Sequence, residues 1–190
     1  MKIHLIRHGK TLANEQKLYC GQTDLPLSDN GMRELLDFKK QSIYPSQSSL
    51  YLTSGLLRTE QTLELLYGRV SKEALPQLAE FKFGSFEMKS HDELNEQPAY
   101  QAWITDETGL VTCPYGENKR DFLRRVLAGL EILCAKANGV ESVLVICHGG
   151  VIASIMAKLF PDKHNFYEWQ PKPGRGYTLY LSNKPQYKKI

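Results

Sequence analysis

Two arginines, two histidines and a glutamate stand in this sequence where apolar runs stop. Arg7 ends the run KIHLIR and is followed by His8 and Gly9; His148 follows SVLVIC and precedes Gly149 and Gly150. Arg58 comes just past SLYLT, in TSGLLRTEQT, and Glu80 ends ALPQLAE. Two guanidinium groups and two imidazoles on one rim repel one another unless an anion sits among them. Phosphate is the natural occupant, because a guanidinium grips its oxygens bidentately and stays charged at any working pH. Gly9, Gly149 and Gly150 let the backbone approach such an anion closely. The chemistry that fits is phosphoryl transfer: a histidine nitrogen attacks phosphorus, a carboxylic acid protonates the departing alkoxide, and the arginines with the second imidazole stabilise the spreading charge.

Metal chemistry fits these residues less well. His4 and His8 are four residues apart on an expected strand, which at about 3.3 Å per residue separates them by about 13 Å, too far to share an ion. One carboxylate beside two arginines would serve a cation poorly, so no metal and no cofactor is expected. Cys20, Cys113, Cys134 and Cys147 are scattered without a CxxC pair, which predicts reduced thiols rather than a disulfide framework or a zinc site.

The elements that must position these side chains follow from periodicity. Residues 2–7, 49–53 and 142–147 read as buried strands, and 176–182 as an edge strand. Met32, Leu35 and Leu36 after a Ser28 cap predict one helix, and Leu57, Gln61, Leu65 and Leu66 another. Leu123, Val126, Leu127, Leu130, Leu133, Cys134 and Ala137 recur at helical spacing with Gly139 as a stop. Val151, Ile152, Ile155, Met156 and Leu159 form a last helix that ends before Pro161. Strands alternating with helices predict an α/β fold with a mainly parallel sheet covered on both faces. Ligands of such sheets gather beyond the carboxyl ends of the strands, where Arg7, His8, Arg58 and His148 fall. No repeat or linker divides the chain, so residues 1–190 are expected to form one domain, with 81–116 as an irregular, partly helical cap excursion.

Composition is that of an ordinary globular protein, with 42% hydrophobic and 24% charged residues. No apolar run reaches the length of a membrane span and no signal-peptide pattern precedes the first strand, so a cytoplasmic protein is expected. A net charge of +3, spread along the chain, suits a small anionic substrate rather than nucleic acid. The expected partner is a small phosphorylated molecule, without nucleic acid or membrane, and the protein itself a monomer or homodimer.

In order along the chain, Arg7-His8-Gly9-Lys10-Thr11 with Asn14, DLPLSDNG at 24–31, TSGLLRTEQT at 53–62, EFKFGSFE at 80–87, PYGE at 114–117 and CHGG at 147–150 resemble the motifs of the histidine phosphatase superfamily, in its phosphoglycerate-mutase-like branch. The resemblance implies a three-layer sandwich with a mixed, mostly parallel sheet, and chemistry without metal or organic cofactor. It makes His8 the nucleophile that becomes phosphohistidine. Arg7, Arg58 and His148 hold the phosphoryl group, with Asn14 and the Gly149 N–H as helpers. Glu80 becomes the proton donor and later the base that activates water. Gly21, Gln22 and Thr23 lie in the loop where family members contact substrate. Cofactor-dependent mutases carry an insertion after the acid residue, whereas only 67 residues lie between Glu80 and His148 here. Hydrolysis is therefore expected over isomerisation; a phosphoglycerate mutase and a non-catalytic phospho-ligand module are the alternatives. EFKFGSFEMKSHDEL is most similar to α-ribazole-5′-phosphate phosphatases of cobalamin assembly, with Phe86 in place of the usual Trp. The environment expected for His8 carries a further consequence, since neighbouring arginines should depress its pKa.

Overall fold

A computed structural model describes all 190 residues. Its centre is β1 (Lys2–Arg7), flanked by β4 (Ser142–Cys147) in parallel register, with Arg7 opposite Cys147. β2 (Leu50–Thr53) pairs in parallel with the other side of β4, and the two-residue β3 (Glu73–Ala74) pairs with β2. On the far side of β1 lie β5 (Gly176–Tyr180) and β6 (Gln186–Lys189), each antiparallel to its neighbour. The sheet order is β3-β2-β4-β1-β5-β6. The carboxyl ends of β1, β2 and β4 thus lie side by side.

The helices are α1 (Leu12–Glu15), α2 (Asp29–Lys40), α3 (Leu57–Tyr67), α4 (His91–Leu94), α5 (Pro98–Ile104), α6 (Lys119–Ala137) and α7 (Gly149–Leu159). Strand residues alternate between two cores. Ile3, Leu5, Val143 and Val145 pack with Val126, Leu130 and Leu133 of α6 and Val151, Ile152 and Ile155 of α7. Ile6, Leu144 and Ile146 face the other way, onto Leu63 of α3 and Tyr51. Burial on both faces is why these strands read as unbroken apolar runs, and it makes the fold the expected three-layer α/β sandwich.

Helix ends follow local chemistry. Ser28 Oγ accepts from the Gly31 N–H at 3.0 Å and starts α2, while Asn118 Oδ1 accepts from the Asp121 N–H at 2.8 Å and starts α6. After α6 the chain turns through Gly139 at φ +81°, a conformation that costs glycine little.

Two expectations need correction. The strand at 176–180 lies inside the sheet, bonded to β1 and β6, because the polar segment QYKK adds an outer strand that no apolar alternation announced. The edges are β6 and the exposed pair Glu73–Ala74. Glu80 does not end a strand: it follows a 3₁₀ turn at Pro76–Leu78. Within 81–116 there are a 3₁₀ turn at Gly84–Phe86 and the helices α4 and α5. Phe86, Leu94, Tyr100 and Trp103 from this stretch are buried in the same core as α6 and α7.

Candidate active site

β1 and β4 end in register, so His8 and His148 emerge side by side with ring centroids 5.1 Å apart and planes at 64°. The two rings are buried, at 5% and 0% exposure. Burial holds the His8 pKa well below the usual imidazole value, and the Arg58 and Arg7 charges push it further down. His148 is lowered first by burial and then by His8, Arg58 and Arg7. Unprotonated rings are the result, as a nucleophile requires.

Hydrogen bonds decide which nitrogen carries the lone pair. His8 Nδ1 lies 2.6 Å from the Gly9 carbonyl oxygen. A carbonyl only accepts, so Nδ1 carries the proton and Nε2 keeps its lone pair. Gly9 is itself fixed, its N–H donating to Thr62 Oγ1 at 3.0 Å while Thr62 donates to the Arg58 carbonyl at 2.7 Å.

The two guanidinium groups approach from different elements. Arg58, on the first turn of α3, is 1% exposed and donates from Nη2 to the Gly21 carbonyl at 2.6 Å and from Nη1 to the Thr23 carbonyl at 3.0 Å. Each of these nitrogens keeps a second N–H. Arg7 donates from Nη1 to the Pro171 carbonyl at 2.8 Å, and its Nε is buried without a partner. Burial lowers the Arg7 pKa, with Glu80 opposing that shift and Arg58 adding to it. Unused, desolvated donors beside two imidazoles form a pocket for a tetrahedral oxyanion.

Glu80 completes the ring of groups. Its Oε2 accepts from the Gly150 N–H at 3.0 Å and its Oε1 from the Phe81 N–H at 2.9 Å, which places the carboxyl at the amino end of α7. Space there is tight: a Cβ on Gly150 would lie 2.6 Å from Glu80 Oε1, and one on Gly149 would lie 3.0 Å from Arg7 Cζ. Two glycines after His148 therefore let the helix begin against the Glu80 carboxyl and the Arg7 guanidinium.

Comparison with known proteins gives the chain a family. Residues 3–179 match the family model described as histidine phosphatase superfamily (branch 1). The chain belongs to that superfamily. It is 34% identical over 163 residues to the adenosylcobalamin/alpha-ribazole phosphatase of Salmonella typhimurium, covering 84% of this chain and 79% of that protein. Against a probable phosphoglycerate mutase, GpmB, of Yersinia pestis it is 26% identical, covering 84% and 74%. Among solved structures, the alpha-ribazole phosphatase of Shigella flexneri superposes with a TM-score of 0.85 at 25% identity, covering 99% of this chain and 95% of that one. TTHB049 of Thermus thermophilus gives 0.77 at 27% identity, covering 100% and 99%.

In this histidine phosphatase the bonds that Asn14 and the loop Gly21–Thr23 make are these. Asn14 Oδ1 accepts from the Thr11 N–H at 3.0 Å and from Thr11 Oγ1 at 3.2 Å, closing a capping box at the start of α1. The N–H groups of Gly21, Gln22 and Thr23 are bonded to the Glu87 carboxylate, and the loop reaches the pocket through the carbonyls that hold Arg58. Gln22 donates from Nε2 to the Glu80 carbonyl at 2.7 Å.

Several contributors were not legible from the sequence. Ser54 Oγ lies 2.7 Å from His148 Nε2 and 3.2 Å from Thr59 Oγ1. Its one signal was a hydroxyl just past a strand on the active rim. Arg125 of α6 donates to the carbonyls of Gln77, Ala79 and Glu80 and pairs with Glu117 at 2.7 Å, so a helix holds Glu80 where no strand does. The Pro171 carbonyl and Gln170, whose side chain lies beside Gly149, come from a segment before β5 with no catalytic signature. No three His, Cys, Asp or Glu side chains are grouped to hold a metal ion. No helix is long and apolar enough to cross a membrane.

Proposed function

We propose that this chain is a metal-independent phosphomonoesterase that works through a phosphohistidine, and that its substrate is α-ribazole 5′-phosphate. The observation that carries the chemistry is the bare Nε2 of buried His8, fixed by the Gly9 carbonyl beside two arginines with unused N–H groups. In the first step Nε2 attacks phosphorus, the phosphorus–oxygen ester bond breaks, and the leaving alkoxide takes a proton from Glu80. In the second, Glu80 takes a proton from water, the water oxygen attacks phosphorus, and the phosphorus–nitrogen bond breaks to restore His8.

Arg7, Arg58 and His148 stabilise the charge on the oxygens in both steps. The preference for hydrolysis over isomerisation rests on the short chain between Glu80 and His148, which leaves the phosphoenzyme open to water. Substrate identity rests on the names of the relatives from Salmonella and Shigella. The enzyme is proposed to act in the cytoplasm, as a monomer or homodimer, on this small molecule alone.

The test is a panel of monoesters containing α-ribazole 5′-phosphate, sugar phosphates, nucleotides and 3-phosphoglycerate. We expect α-ribazole 5′-phosphate to give the highest kcat/KM, with release of inorganic phosphate. Equal low rates on every monoester would remove the substrate assignment, and efficient conversion of 3- to 2-phosphoglycerate would replace the hydrolase with a mutase.

A further inference from the structure

We infer that Glu87 is a positioning residue for Arg58, acting through the loop Gly21–Thr23; the inference rests on the phosphate pocket described above. Five donors converge on its carboxylate. Oε1 accepts from the N–H groups of Gly21 at 3.2 Å, of Gln22 at 3.0 Å and of Phe83 at 3.2 Å. Oε2 accepts from the Gly21 N–H at 3.0 Å, the Thr23 N–H at 3.2 Å and Thr23 Oγ1 at 2.8 Å.

Only an ionised carboxylate matches that set, because it is acceptor on every side. A glutamine of the same shape would turn an NH₂ group toward N–H donors and leave some of them unpaired. The fit is also close in space: a Cβ on Gly21 would lie 1.6 Å from the Phe81 carbonyl oxygen and 2.8 Å from Glu87 Oε1, so only glycine allows the loop to pass there.

The consequence lies on the other edge of the same loop. With its N–H groups turned to Glu87, the loop directs the carbonyls of Gly21 and Thr23 to the two terminal nitrogens of Arg58. Next along the chain, Asp24 Oδ1 accepts from the Leu57 N–H at 2.7 Å, on the helix that carries Arg58 and whose own N-cap, Leu56, offers no side-chain bond. Glu87 therefore sets the loop, and the loop sets both the guanidinium and the first turn beneath it. Glu87 itself touches neither His8 nor the other phosphate-binding side chains among its bonded partners.

The test is a double-mutant cycle read by calorimetric binding of tungstate, a tetrahedral oxyanion that requires no turnover. We expect Glu87→Gln to weaken tungstate binding by about tenfold or more, and by less than about twofold when Arg58 is already alanine. An equal loss in both backgrounds would mean a general structural role, and no loss in the presence of Arg58 would mean that the loop holds without Glu87; either overturns the inference. Should Glu87→Gln fail to fold, Thr23→Val, which removes one of the six contacts, enters the same cycle. A loss of about threefold confined to the Arg58 background supports the inference, and unchanged binding overturns it. A wild-type protein that binds tungstate but hydrolyses no monoester would sink the phosphatase reading alone, with the cycle still deciding on Glu87.

Discussion

His8 and His148 stand at equivalent places in the fold, each just past a central parallel strand, each buried, each held below the usual imidazole pKa. Their hydrogen-bond partners differ, and that difference supports the roles proposed for them. His8 meets a carbonyl, which accepts only, so its tautomer is fixed and Nε2 is left to attack. His148 meets a hydroxyl. Thr59 Oγ1 commits its one proton to the Leu56 carbonyl at 2.6 Å, so Ser54 donates to Thr59 and accepts from His148 Nε2–H. The neutral ring then has its lone pair on Nδ1, which is buried without a partner. That nitrogen is free to accept from a protonated phosphate oxygen or to take up a proton, which fits the proposed part of His148 in stabilising the transferring group without competing for phosphorus. Equal burial on one scaffold leaves a different nitrogen free on each ring because the local partner differs, as the proposed nucleophile and its proton-accepting neighbour require.

The largest effect that could break this division comes from exchanging each ring for an amide. We expect His8→Gln to abolish phosphoenzyme labelling and to reduce kcat/KM by at least about 10⁴-fold, as loss of a nucleophile does. His148→Gln should keep the label and lose about 10²–10³-fold, the scale of the one oxyanion-stabilising donor that His148 becomes when Nδ1 takes up a proton. Rapid-quench labelling with a ³²P-monoester separates them, and a label that survives in His8→Gln would transfer the nucleophile's role elsewhere.

A smaller effect sharpens the part played by the hydroxyl chain. Ser54→Ala leaves His148 Nε2 without its partner, and the expected cost is about tenfold in kcat/KM, the equivalent of about 1.4 kcal/mol. The loss should be absent from a His148→Gln background. An equal loss there would separate Ser54 from His148.

Stability should report the same depressed rings. In the folded, ligand-free protein His8 and His148 bind protons only well below the ordinary value of 6.5, and burial with the Lys2 charge pushes His4 down to about 4. The unfolded chain takes up these protons near pH 6.5, so it binds more protons than the native state below that pH. Stability is therefore fully present above pH 6.5 and falls as the pH is lowered, with the His4 contribution lost between 6.5 and about 4. Urea unfolding between pH 7.5 and 5 should show this slope, and the His8→Gln, His148→Gln double variant should show a shallower one. An unchanged slope in the double variant would mean that neither ring is held neutral.

Much of this was legible from local pattern. Runs buried on both faces identified β1, β2 and β4, and helical spacing with Ser28 as a cap identified α2. A strand must deliver its next residues to the sheet's edge, so Arg7, His8 and His148 were placed by the strands themselves. The depressed His8 pKa also followed from the company of two arginines, although burial proves the larger cause. Glu80 was found by residue type and motif, while its support was misread: the expected strand is absent, and Arg125 from α6 holds the segment. β6 escaped because an outer strand of polar residues leaves no alternation to read.

The sequence by itself determined the residue types, their order and the strand ends that carry them: two imidazoles, two guanidiniums, one carboxylic acid, and glycines where backbone must come close. Tertiary structure decided which nitrogen of each imidazole is free, and that Glu87 grips a loop more than sixty residues away. The physical reason is range. Periodicity and capping act over a few residues and leave a repeating trace, whereas a tautomer or a cradled carboxylate depends on single bonds between distant segments, which exist only after the sheet has brought them together.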